Sequence, residues 1–153
     1  MLVLLALIVL FLAIISWNLR SSEIPVRLIR VVSGDTVAFD KGLTVKLLGV
    51  NTVSGGAEND ALAASYLMTL LANRNVWIEY DRTGQGLAWL WVGCESSPRF
   101  WSIREANDNP VGCKQGVLVS EQIIKMGWST PYFPADMPGV RYESRLKAIN
   151  SSI

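Results

Sequence analysis

The 153-residue chain contains no histidine. That absence excludes every mechanism built on imidazole, including Ser-His-Asp and Cys-His nucleophilic triads, and all histidine-bearing metal sites. Charged residues make up only 18% and hydrophobic ones 50%, a balance that excludes a disordered tail. Two cysteines are too few for a disulfide-dense scaffold, and no CxxC pair is present to hold zinc. Any chemistry must therefore run on carboxylates, lysine, arginine, tyrosine or a hard cation.

The apolar residues are concentrated at the start. Residues 1–15 carry no polar side chain, and twelve of them are Leu, Ile, Val or Phe. Trp17 and Leu19 extend the run, and Arg20 is the first charge. Nineteen helical residues span roughly 28 Å, close to the hydrocarbon thickness of a bilayer. The twelve apolar side chains favour insertion by roughly 4 to 7 kcal/mol. A cleaved signal peptide expects a basic n-region and a small-x-small site, and the run has neither. Residues 1–20 are thus expected to be a retained transmembrane anchor, with residues 21–153 as the attached domain. The lipid bilayer is the first expected partner.

Two signals bear on the side of the membrane, and they disagree. Arg20, Arg27 and Arg30 follow the run, which places the domain on the cytoplasmic or matrix side by the positive-inside rule. Cys94 and Cys113 each end a Val-Gly-Cys tripeptide and can close the base of a loop as a disulfide in an oxidising compartment. Two unpaired buried thiols are the alternative. Past Arg20, 13 basic residues balance 13 acidic ones, so the domain is formally neutral and nucleic acid is not an expected partner.

Short strands come first and helices later. Residues 26–32, 36–39 and 43–48 read as a three-strand meander with turns at Ser33-Gly34-Asp35 and Asp40-Lys41-Gly42. Residues 57–72 read as a helix with Leu62, Tyr66, Leu67, Leu70 and Leu71 on one face, and Asn73 can take its left-handed cap. Strands follow at 76–80 and 87–92, then a Ser-, Pro-, Asn- and Asp-rich loop at about 95–112. Helices at 119–126 and 140–150 complete the chain. The expected fold is α+β: the anchor, then a five-stranded Greek-key OB-fold barrel with three helices. Trp77, Trp89 and Trp91 alternate along strands and are expected in the core. Phe100 and Trp101, in the loop, are a candidate protein contact.

Three segments carry a resemblance: Val31-Val32-Ser33-Gly34-Asp35-Thr36-Val37, Val45-Lys46-Leu47-Leu48-Gly49-Val50-Asn51-Thr52, and Asp81-Arg82-Thr83-Gly84-Gln85-Gly86-Leu87-Ala88-Trp89. In type, spacing and order they resemble the signature segments of the thermonuclease (staphylococcal nuclease-like) family, over about residues 25–149, with the loop between the cysteines as an insertion. The resemblance implies a calcium site at Asp35, Asn51 and Thr52, and catalytic positions at Lys46, Ser54 and Gln85. This chain departs from the pattern at most of them. Asn51 stands where the family has a second Asp, so the site is vestigial and calcium binding weak at best. Lys46 replaces an arginine and loses its bidentate fork. Ser54 replaces the general-base Glu, Gln85 replaces the second arginine, and Thr83 replaces an aromatic that stacks on nucleotides.

The departures imply a pseudoenzyme with no cofactor, serving as an accessory or scaffold subunit of a larger membrane complex. Supernumerary subunits of respiratory-chain or ATP-synthase-type complexes are often built this way, and by that analogy the mitochondrial inner membrane is the expected location. The alternative is a membrane-tethered, calcium-dependent nuclease with a relocated general base, for which Glu58 is the nearest carboxylate in sequence.

Overall fold

The computed structural model describes residues 24–81, 86–102, 104–105, 107–137 and 139–150. The expected anchor at 1–20, together with Thr83 and Gln85, lies outside the described residues. Among the described residues no helix is long and apolar enough to cross a membrane. Among the described residues the fold is mixed α+β, with one multi-stranded sheet and three α-helices.

Strands β1 (Leu28–Ser33), β2 (Thr36–Phe39) and β3 (Leu43–Leu47) form the meander. Helix α1 (Ala57–Leu71) leads to β4 (Val76–Tyr80) and β5 (Leu87–Val92). A short β6 (Val117–Leu118) precedes α2 (Val119–Lys125) and α3 (Glu143–Asn150). The strand order is β1-β2-β3-β5-β4, with β6 paired to β5. β3 and β5 run parallel, and the other pairs are antiparallel. Ahead of β1, Val26 and Val76 exchange both backbone hydrogen bonds at 2.9 and 3.0 Å, which brings β1 and β4 together across the sheet's two ends.

The local signals explain these elements. Period-2 alternation puts Val37, Phe39, Val45 and Leu47 inside the meander. β5 has no exposed face, because the sheet interior lies on one side of it and the C-terminal helices cover the other. Trp89 and Trp91, both fully buried, meet the ring of Tyr142 edge-on at 5.0 and 5.6 Å. Asn73 adopts the expected left-handed conformation, with φ 57°.

Four readings need correction. Leu62 is exposed, because the buried stripe of α1 runs through Ala63, Leu67 and Leu71 at i, i+4 and i+8. The sheet has a sixth strand, and its two residues are too few to carry an alternation signal. The last helix begins at Glu143, after Tyr142 has turned into the core. Phe100 is 6% exposed and packs in the core, whereas its neighbour Trp101 is 52% exposed.

Glu79 of β4 is a buried carboxylate on which the C-terminal half converges. Its Oε2 accepts hydrogen bonds from Trp91 Nε1 at 2.9 Å and Tyr142 Oη at 2.7 Å. Its Oε1 accepts from Arg104 Nη2 at 2.7 Å and from Arg141 Nη1. Burial, and then the Glu79 charge, push the Tyr142 phenol far above its ordinary value, so it stays a donor. Burial opposes the Arg141 charge, and the pull of Glu79 outweighs it. Removing one member of such a cluster leaves buried charge uncompensated. We expect Glu79→Gln to lower the unfolding free energy by about 3–5 kcal/mol in urea titration. A loss under about 1 kcal/mol would show the cluster to be dispensable.

Candidate functional site

The site lies where the β1–β2 turn, the end of β3 and the start of α1 meet. Gly34 permits the approach. A Cβ there would stand 2.6 Å from Thr52 Oγ1, 2.7 Å from the Asp60 carbonyl and 2.8 Å from the Ala63 Cβ, so no larger residue fits. Asp60, in the first turn of α1, clamps the two segments: its Oδ1 accepts from the Gly34 N–H at 2.9 Å and from Thr52 Oγ1 at 2.5 Å. The turn is held to β3 by the Leu47 N–H, which donates to the Asp35 carbonyl at 2.7 Å.

Asp35 is buried. Its Oδ1 accepts from the hydroxyls of Ser33 at 3.0 Å and Thr36 at 2.8 Å. Its Oδ2 has no hydrogen-bond partner and faces Lys46 Nζ at 3.4 Å. The lysine side chain is 48% exposed and that of Asp35 only 2%, so the cation reaches in from solvent to a carboxylate that cannot reach out.

The second segment is engaged with itself. Asn51 Oδ1 accepts from the Ser54 N–H at 3.4 Å, a long and weak bond. Ser54 Oγ donates to the Asn51 carbonyl at 2.8 Å, and the Thr52 carbonyl accepts from the Gly55 N–H at 3.0 Å. The backbone N–H of Asn51 donates to Ser129 Oγ at 3.0 Å. These bonds shape a short 3₁₀ turn, Val53–Gly55. Glu58 is exposed on the first turn of α1.

The calcium ion implied by the resemblance does not fit these residues. Asp35 already has an ammonium at its free oxygen, Asn51 contributes no charge, and the Thr52 backbone carbonyl, the ligand atom the resemblance implies, accepts from the Gly55 N–H. Among the described residues no three acidic or cysteine side chains converge. Next to Lys46 is a cavity of about 230 Å³ whose lining includes Leu47, Leu48, Leu87, Tyr132 and Pro134. Lys46 is the one charged residue among those lining it.

The structure thus gathers Asp35, Lys46, Thr52 and, through the adjoining turn, Asn51 and Ser54. Phe100 and Trp101 lie elsewhere, on the loop after β5. Cys94 and Cys113 are joined in a disulfide that closes that loop. Sequence reasoning missed Asp60, whose only signal was an acid in the first turn of a helix. It also missed Glu79, whose signal was a lone acid in an otherwise apolar strand. Compared with known proteins, the chain matches no protein-family model and no curated protein.

Lys46 is the only cation paired with Asp35 among the described residues. We expect Lys46→Met to reduce stability by about 1–3 kcal/mol, since a buried acceptor loses its one partner, and Lys46→Arg to restore most of it. Equal denaturant midpoints for Lys46→Met and the unmodified chain would contradict the pairing.

Proposed function

We propose that the chain is a membrane-anchored OB-fold module of the thermonuclease type, without phosphodiester chemistry, that serves as an accessory or scaffold subunit of a larger membrane complex. The barrel reading is supported by the strand order, the parallel β3–β5 pair, the Val26–Val76 bridge and the helix between β3 and β4. The anchor reading rests on the apolar run at 1–19.

One observation carries the non-catalytic reading: the group that replaces the general base, the Ser54 hydroxyl, donates its proton to the Asn51 carbonyl. A hydroxyl in that arrangement cannot take a proton from water at neutral pH, and no histidine exists to assist it. Lys46, the remaining catalytic-position cation, is spent in part on Asp35. What persists is the set of bonds that hold the barrel's turns together.

The disulfide supports an oxidising compartment, since such bonds are rare where glutathione keeps thiols reduced. It favours the opposite side from the one that Arg20, Arg27 and Arg30 suggest. The respiratory-chain or ATP-synthase setting remains an analogy with single-span accessory subunits.

Mild-detergent extraction of the full-length chain, native-gel sizing and mass spectrometry of the co-migrating proteins test this reading. A stable large assembly is expected. A lone 16.9 kDa species with calcium-dependent cleavage of nucleic acid would replace the scaffold with the nuclease alternative.

A further inference from the structure

The candidate site occupies one rim of the sheet, at the Gly34–Asp35 turn. The opposite rim is built differently. It comprises the residues ahead of β1, the β2–β3 turn at Asp40–Gly42 and the segment between α1 and β4. Arg27 ties these together: its carbonyl accepts from the Asp40 N–H at 2.9 Å, and its Nη1 donates to the Asn73 carbonyl at 3.0 Å.

Four exposed cations stand around this rim: Arg27, Arg30, Lys41 and Arg74. Ile24 and Ile29 lie among them with 69% and 65% of their surface exposed. A bulge between Leu28 and Arg30 turns Ile29 outward beside Arg30, so an apolar and a basic side chain share that face. Among the described residues of the rim, the carboxylate of Asp40 accepts from the Arg27 N–H at 3.1 Å, beside that cation. Apolar tips ringed by cations, in a domain that is neutral as a whole, match an anionic phospholipid surface.

Chain length supplies the occupant. Only five residues lead from Leu19, the end of the apolar run, to Ile24. At full extension they span at most about 18 Å, so the rim is tethered within reach of the headgroups. The geometry points to this rim as a membrane-docking surface, on which Ile24 and Ile29 enter the interface while Arg27, Arg30, Lys41 and Arg74 bind lipid phosphate. The inference rests on the anchor reading. It holds the Asp35 site and its neighbouring cavity on the side away from the bilayer, open to a partner subunit. It also gives the basic residues after the run a role independent of the positive-inside rule.

Hydroxyl-radical footprinting of the full chain in nanodiscs, of phosphatidylcholine alone or mixed with phosphatidylserine, tests the docking. Labelling of Ile24 and Ile29 is expected to fall several-fold in the anionic discs, while exposed Met126 labels equally in both. Each reversal among Arg30→Glu, Lys41→Glu and Arg74→Glu should lower the docked-to-free ratio about fivefold or more, with buried Met137 staying weakly labelled as the report of an intact fold. A chain that fails to enter the discs overturns the anchor reading, and the docking with it. A chain retained in the discs whose Ile24 and Ile29 label equally in both lipids overturns the docking alone. Protection that appears only on adding an acidic protein or a nucleic acid assigns the rim to that partner and overturns it likewise.

Discussion

A carboxylate removed from water must take a counter-charge with it, and that constraint organises both ends of this domain. At Glu79 the counter-charges are Arg104 and Arg141, and the remaining lone pairs are filled by Trp91 and Tyr142. Because these partners come from β5, the loop after it and the residues just ahead of α3, one buried acid fixes how the loop and the C-terminal segment lie on the sheet. Glu121 repeats the device, pairing with Lys125 one turn along α2 and with Arg145 of α3. Arg145 also bonds Asn109 Oδ1 at 2.8 Å and lies over the Trp91 ring, so the loop, the helix and the core are joined by one side chain.

Asp35 follows the same rule with a different outcome. In a hard-cation site the counter-charge is an exchangeable ion, and its affinity depends on a second anionic ligand. Here the second anion is absent at Asn51, and the counter-charge is covalently part of the chain, at Lys46. Internal bonds hold the turn: Ser33 and Thr36 to the Asp35 carboxylate, Leu47 to the Asp35 carbonyl, and Gly34 and Thr52 to Asp60. A site stabilised in this way can be retained for its architecture after its chemistry has gone, which is the physical content of the scaffold reading.

The strand and turn signals were legible in the sequence because they are local. β2, β4 and β5 begin and end at the residues that alternation and turn chemistry indicate, and Asn73, one residue past the Ala72 C-cap of α1, takes the left-handed conformation its type allows. That Lys46, Asn51 and Ser54 differ from the residues the thermonuclease resemblance implies was legible too, since a residue type is read without the fold. What was not legible depends on contacts between distant segments. Asp60 reads as an ordinary first-turn acid until the fold brings Gly34 to it, 26 residues away. Arg104 and Arg141 read as surface charge until Glu79 is placed between them. Phe100 and Trp101 are adjacent and chemically alike, and only the packing of the loop decides that one is buried and the other exposed. Leu62 was misplaced for a related reason: several leucines in succession allow more than one helical stripe, and the sheet selects the one through Ala63.

Calcium titration of the full chain, by calorimetry together with thermal unfolding, tests most directly whether Lys46 has taken the place of an ion. The account predicts no saturable heat and no change in Tm. Saturable binding accompanied by a rise in Tm, both abolished by Asp35→Asn, would show that the site still holds its cation and would contradict it.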